Sequence, residues 1–414
     1  MKNGAYSILL LAAGALPAAA AAPATVRIAT FNCSLNRPAL GQLQSDLATP
    51  DDRQARAVAE IIQRVRPDIL LLQEFDYDPR SASLDEFTLQ YLGKQQHEGI
   101  APISYLYQYG SPSNTGTPSG FDLDHDGKIG GGDDALGFGE FPGQYGMVLL
   151  SKFPIDSHEV RTFRGFLWRD MPNALLPEDP ATHTPWYGPD VLAVLPLSSK
   201  SHWDLPVKIG GTTLHLLASH PTPPAFDGAE DRNGKRNHDE IRFWSDYLDG
   251  AKYIRDDKGR KGGLDGKAFV IMGDLNSDPI DGASLHDAIE ALIGNPRIDA
   301  SFVPQSAGAA EASASQGGAN ATQRGEARFD TADFNDRGPG NLRVDYLLPS
   351  KSLRVCGGGV FWPARSDPAA TLVWGDDPPP SSDHRLVWID VSVDGDRCPP
   401  GSGPTASDPS RPGR

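Results

Sequence analysis

The chain has 414 residues, 39% hydrophobic and 22% charged, enough to bury the core of one large α/β domain or two smaller ones. Its formal net charge of −16 argues against a broad basic face that tracks nucleic acid and leaves room only for a local basic groove. Residues 1–22 hold Lys2, an apolar run from Ile8 to Leu16 and an alanine run suited to cleavage. They read as a secretory signal peptide, since the apolar run is too short to span a bilayer, and no later stretch is long enough either. A secreted or periplasmic protein is expected. Three cysteines follow, which in an exported chain allows one bridge and one free thiol. Cys33 follows a strand and is expected to be buried, so Cys356–Cys398 is the preferred pair.

In chain order, Val26–Asn32 alternates as a strand. Thr49-Pro50-Asp51-Asp52 opens a helix, with Thr49 as the capping hydroxyl. Ala55, Val58, Ala59, Ile62 and Val65 form its apolar stripe, and Pro67 stops it before a strand over 68–74. The plan recurs: a strand over 214–219 reaches His220, a helix follows over 239–253, and a strand over 268–273 reaches Asp274. Each unit is strand–helix–strand, its first strand ending in Asn32 or His220 and its last in Glu74 or Asp274. Two such units predict two packed sheets with helices outside and one shared rim. The catalytic domain is expected over 23–398. Within it, 112–143 is a glycine-rich acidic insertion and 307–325, rich in Ala, Ser and Gly, a flexible one; 399–414 reads as a disordered tail.

Asn32, Glu74, His220, Asp274, Asn276, Asp345, Asp383 and His384 each end or follow an apolar run. Any one of them alone reads as a turn cap. Together, carboxylates, amides and histidines at strand ends suit a divalent cation and a phosphate ester. The ordered segments FN, QE, YGMVLLSKFPI, SHPTPP, GDLNSDP, RVDYLL and SDHRLV resemble the endonuclease/exonuclease/phosphatase superfamily, which includes the secreted DNase I-like enzymes. The resemblance spans about residues 25–392, with no departure at the core positions. It implies a four-layer α/β sandwich of two packed mixed sheets flanked by helices, and phosphoester hydrolysis with Mg²⁺ or Mn²⁺. Carried over, it gives Glu74 as metal ligand, assisted by Asn32 and Asp383. Asp274 and Asn276 would orient or deprotonate the attacking water, Asp345 would hold His384, and His220 would be an acid for the leaving oxygen. Either Asp274 or His384 would be the general base. Tyr145 would donate a hydrogen bond to the phosphate.

Two further motifs stand out. Asp122, Asp124, Asp126, Lys128 and Asp133 occupy positions 1, 3, 5, 7 and 12 of a calcium-type loop, with Gly127 at position 6. Its flanks are poor helix formers, so a loop graft that holds structural Ca²⁺ is expected. The segments 161–169 and 232–238 are read as basic loops in which Arg164, Arg236 and Asn237 would bind substrate. The leading expectation is a metal-dependent phosphomonoesterase or phosphodiesterase. An extracellular nuclease and a catalytically inert calcium-stabilised binding protein are the alternatives, and a lipid-headgroup diesterase finds no amphipathic segment in its favour.

Overall fold

The computed structural model describes residues 25–375, 379–393 and 398. The expected signal peptide and the tail at 399–414 lie outside the described residues. Two mixed sheets dominate. The first runs β12 (Arg354–Val360), β13 (Val387–Ser392), β1 (Val26–Asn32), β2 (Ile69–Gln73), β4 (Met147–Ser151) and β3 (Tyr107–Gly110). The second runs β11 (Asp345–Pro349), β8 (Phe269–Asp274), β7 (Thr212–Ser219), β6 (His202–Ile209) and β5 (Arg161–Thr162). A small ribbon, β9 (Ala332–Asp333) with β10 (Asn341–Leu342), stands beside them. The helices are α1 (Gln42–Leu47), α2 (Arg53–Val65), α3 (Ala82–Glu86), α4 (Pro189–Leu192), α5 (Arg232–Leu248), α6 (His286–Ile293) and α7 (Ala307–Gln316).

Strand alternation builds the layers. In β7 and β8, Leu214, Leu216, Ala218, Val270 and Met272 join the core between the sheets, where Ile28, Leu71 and Leu149 also lie. The intervening Leu217, Phe269 and Ile271 belong to a second core with Ile241, Trp244, Tyr247 and Leu248 of α5. The expected stripe of α2 is buried from Ala55 to Val65. The result is the expected sandwich: helices, sheet, sheet, helices. Both predicted strand–helix–strand units are present, with β1 parallel to β2 and β7 parallel to β8.

Three expectations are corrected. The cap of α2 is Asp52, whose carboxylate accepts from the Ala55 N–H at 2.7 Å, not Thr49. The helix placed at 239–253 starts earlier and is α5 from Arg232, so the segment read as a second basic loop is helical. Residues 307–316 are a helix, not a flexible stretch. Ser306 caps α7 by accepting from Ala309 N–H, and Gly308 donates to the Trp362 carbonyl at 3.0 Å. A Cβ on Gly308 would sit 2.3 Å from that oxygen, so the small residues that resemble low complexity serve close packing. Cys356 and Cys398 are bonded as expected, with Cα atoms 5.3 Å apart, and Cys33 is free and buried. No helix among the described residues is long and apolar enough to cross a membrane.

Candidate active site at the shared sheet rim

Strand direction brings the polar residues together. The parallel strands β1, β2, β7 and β8 end at one rim with Asn32, Glu74, His220 and Asp274. The antiparallel neighbours β13 and β11 begin there, so Thr30 pairs with Val387 just after Asp383-His384, and Asp345 pairs with Asp274. Gly273 lets β8 approach the end of β7: its φ is +147°, and a Cβ would lie 1.9 Å from the Ser219 carbonyl. Ser34, Glu74, Tyr145 and Asn276, in the turns at this rim, all sit at φ between +49° and +55°, four of the non-glycine residues held in the left-handed region.

Asp274 is the hub. Its Oδ1 accepts the Asn276 N–H at 2.8 Å, and its Oδ2 accepts Asn32 Nδ2 at 3.1 Å. The same oxygen lies 3.4 Å from His220 Nε2 and 3.6 Å from His384 Nε2. His384 Nδ1 meets Asp345 Oδ2 at 2.9 Å, and Thr331 Oγ1 donates to that oxygen at 2.8 Å. Asp274, Asp345 and His384 bring one ligand-type atom each within 4.8 Å of the others. Phe334 packs edge-on against the His384 ring. Burial drives the Asp274 carboxyl up to about 6, partly opposed by the charge of His384. Burial opposes charging of His384, but Asp345 and Asp274 outweigh it and hold this imidazole charged. His220 is the reverse case: burial, then the charges of Lys200 and His384, keep it neutral.

This floor is buried, whereas Glu74, Asp383, Asn276 and Tyr145 are half-open to solvent. Glu74 accepts from Asn32 at 3.1 Å and from Asn36 at 2.9 Å. Burial and then the Asp383 charge raise its pKa, with the charges of His384 and Lys200 and the Asn32 hydrogen bond opposing them only in part. An all-oxygen donor set of Glu74, Asp383 and the Asn32 amide fits a hard divalent cation. Asp76 holds the neighbouring turn, accepting from Tyr145 N–H at 3.2 Å and Arg37 N–H at 2.8 Å.

The profile of the endonuclease/exonuclease/phosphatase family matches residues 29–384. The chain belongs to that family. It is therefore a metal-dependent phosphoric ester hydrolase. Solved structures similar to this family member include an endonuclease/exonuclease/phosphatase from Beutenbergia cavernae, at 17% identity and TM-score 0.48, covering 89% of this chain and 72% of that one. A family protein from Leptotrichia buccalis shows 14% identity and TM-score 0.44, covering 88% and 98%. Sphingomyelinase C from Streptomyces griseocarneus shows 16% identity and TM-score 0.44, covering 88% and 99%. No curated protein matches the sequence.

The expected substrate clamps take other places in this family member. Arg236 is buried and spends its guanidinium on the carbonyls of Leu197, Pro196 and Leu136, because it lies in the second turn of α5. Asn237 is fully buried and donates to the Thr222 and Leu275 carbonyls. Arg164 donates to Asn114 at 3.4 Å, and none of its hydrogen bonds among the described residues reaches a rim residue. The cation that does reach the site is Lys200, which carried no signal in its serine-rich sequence. It is buried, its Nζ lies 3.5 Å from the Pro221 carbonyl, and it feels the charges of Glu74 and Asp274.

The calcium-type loop is formed in part. Asp122, Asp124 and Asp126 bring one oxygen each within 4.8 Å. Lys128 is exposed and turns its ammonium to Asp126 at 3.2 Å. Asp133 is exposed and outside that cluster, and its buried neighbour Asp134 accepts from Leu123 N–H at 2.6 Å and Gly130 N–H at 2.7 Å. Gly130 and Gly131, both at positive φ, lead into it.

Proposed function

We propose that this chain is an exported hydrolase of small phosphomonoesters or phosphodiesters, acting by attack of water at phosphorus. The observation that carries the reading is the shared Asp274 Oδ2, within 3.6 Å of both His220 and His384, beside the half-open Glu74 and Asp383. A Mg²⁺ or Mn²⁺ ion held by Glu74, Asn32 and Asp383 would supply charge neutralisation at a non-bridging phosphate oxygen. Asp274 takes the proton of the attacking water, and Asn276 fixes its carboxylate through the backbone N–H. A carboxyl near 6 is a stronger base than an ordinary aspartate and is still ionised at neutral pH. His384, kept charged by Asp345, donates to the oxygens that gain charge at phosphorus. His220 stays neutral and donates a hydrogen bond, which replaces its expected role as leaving-group acid. Lys200 and Tyr145 complete the phosphate cradle.

Two observations favour small esters over nucleic acid: the net charge of −16, and the burial of Arg236, which removes the expected basic groove. The full set of rim residues weighs against an inert binding protein. Export is supported by the Cys356–Cys398 bond, which belongs to an oxidising compartment. A Ca²⁺ ion at Asp122, Asp124 and Asp126 would order the insertion that leads to Tyr145. The test is hydrolysis by the mature chain in magnesium plus calcium, against EDTA. The panel is p-nitrophenyl phosphate, bis(p-nitrophenyl) phosphate and supercoiled plasmid. Metal-dependent turnover of the aryl esters with intact plasmid is expected. Plasmid nicking would make the nuclease reading the correct one, and no turnover at all would leave the inert one.

A further inference from the structure

Lys200, His220 and Asp274–Asn276 reach the rim on three separate connections, and all three are fastened to one turn of α5. Glu240 Oε1 accepts the Ser199 N–H at 2.8 Å and its hydroxyl at 3.2 Å, next to Lys200. Glu240 Oε2 accepts the Thr222 N–H at 2.6 Å, two residues past His220. Asn237, one turn earlier on the same face, donates to the Thr222 carbonyl at 2.8 Å and to the Leu275 carbonyl at 3.0 Å. Leu275 stands between Asp274 and Asn276. The peptide before Thr222 faces the other way, into the site: the Pro221 carbonyl accepts from Asn276 Nδ2 at 3.1 Å and lies 3.5 Å from Lys200 Nζ.

We propose that Asn237 and Glu240 are positioning residues that hold these three connections in catalytic register, an inference that rests on the hydrolytic site proposed above. Both side chains are 0% exposed. A buried carboxylate is costly, and an apolar residue would anchor the helix more cheaply. The other polar residues buried on α5 turn elsewhere, Arg236 to the Leu197, Pro196 and Leu136 carbonyls and Asp239 to Trp168 Nε1 and the Leu175 N–H, while Ile241, Phe243, Trp244, Tyr247 and Leu248 pack in the core. Asn237 and Glu240 are the pair whose side chains meet the connections carrying Lys200, His220 and Asp274–Asn276. It fixes the 3.4 Å separation of His220 and Asp274 from behind, without touching the reacting atoms.

The mature chain is compared with Glu240→Gln, which keeps shape but faces an N–H toward Thr222 N–H, and Asn237→Ala. Steady-state hydrolysis of bis(p-nitrophenyl) phosphate in magnesium is read with the ¹⁵N signals of the His220 and His384 rings. Misplacement of about 1 Å predicts a loss on the order of 10²-fold in kcat, with KM within about threefold of wild type. The His220 signals shift and those of His384 stay. Folded variants with kcat within about threefold of wild type and unmoved His220 signals would overturn the proposal. Loss of fold in both variants would also overturn it, making the pair a support of the whole helix. A wild-type chain inactive on both this diester and p-nitrophenyl phosphate would refute the hydrolytic reading alone, and the His220 signals would still decide the register.

Discussion

Replacing Asp345 by Asn tests what keeps His384 charged. The carboxylate meets His384 Nδ1 at 2.9 Å, in a site closed to water. With charge centres about 4 Å apart and an effective dielectric of about 20, the pair is worth roughly 4 kcal/mol. That is on the order of a thousandfold in the protonation equilibrium of the ring. Burial then acts on His384 with less opposition, and the ring becomes neutral near pH 7. An asparagine amide can also select the wrong tautomer by presenting an N–H to Nδ1. The expected result is a fall in kcat of about 10²–10⁴-fold on bis(p-nitrophenyl) phosphate, the range of a general acid–base contribution. In parallel, the His384 ring signal should lose its charged form at pH 7. The unfolding midpoint in urea serves as the check on fold. A folded Asp345→Asn protein that turns over within threefold of wild type, with His384 still charged, would refute this reasoning.

Glu74→Gln should lose magnesium-dependent turnover by at least about 10²-fold while keeping its far-ultraviolet spectrum; a metal titration that matches wild type would remove Glu74 from the ligand set. Asp330 offers a stability test. Burial, then the charges of Asp278 and Asp281, push its carboxyl up to about 8, and its Oδ2 has no hydrogen-bond partner. The folded value lies above the unfolded one, so the proton favours the fold. That stability is complete below about pH 4 and is lost as pH rises through about 8. The gap sets a ceiling of roughly 5 kcal/mol at pH 8, from which an imperfectly paired amide subtracts about 1–3. Asp330→Asn should thus be clearly stabilised at pH 8 and close to wild type at pH 4 by urea unfolding; the opposite order would be decisive against it. Calcium at 1 mM should raise the melting temperature by a few degrees relative to chelator, and Asp124→Asn should abolish that rise.

The fold and most of the site were legible because they rest on local patterns. Apolar runs that end in Asn32, Glu74, His220 or Asp274 can only be buried strands, and the strand–helix–strand order fixes which ends coincide. Asp383-His384 and Asp345 are legible for the same reason. What stayed hidden depends on distant partners. Lys200 matters only because its segment folds over Glu74 and Asp274, and nothing among its neighbouring serines says so. Arg236 misled because the first turn of α5 reads Arg232-Asn233-Gly234, poor helix formers that look like a loop, and its N-cap Asp231 sits in a left-handed turn without a side-chain cap. A helical Arg236 then meets three carbonyls where a loop arginine would have met substrate. Asp134 went unread because its hydrogen bonds to the Leu123 and Gly130 N–H groups depend on a chain path that a count of spacing cannot see.

The pairing of β1 with β13 carries a consequence for how the molecule comes into being. Arg27 and Asp390, on facing strands, bind each other 363 positions apart. The central strand of the first sheet therefore waits, through the synthesis of nearly the whole chain, for the neighbour that also delivers Asp383 and His384. Such distant pairing makes folding slow. A chain still emerging cannot close this sheet, so it has neither a finished core nor a working histidine. Activity and completed folding arrive in one late event, and a chain cut short before β13 is silent.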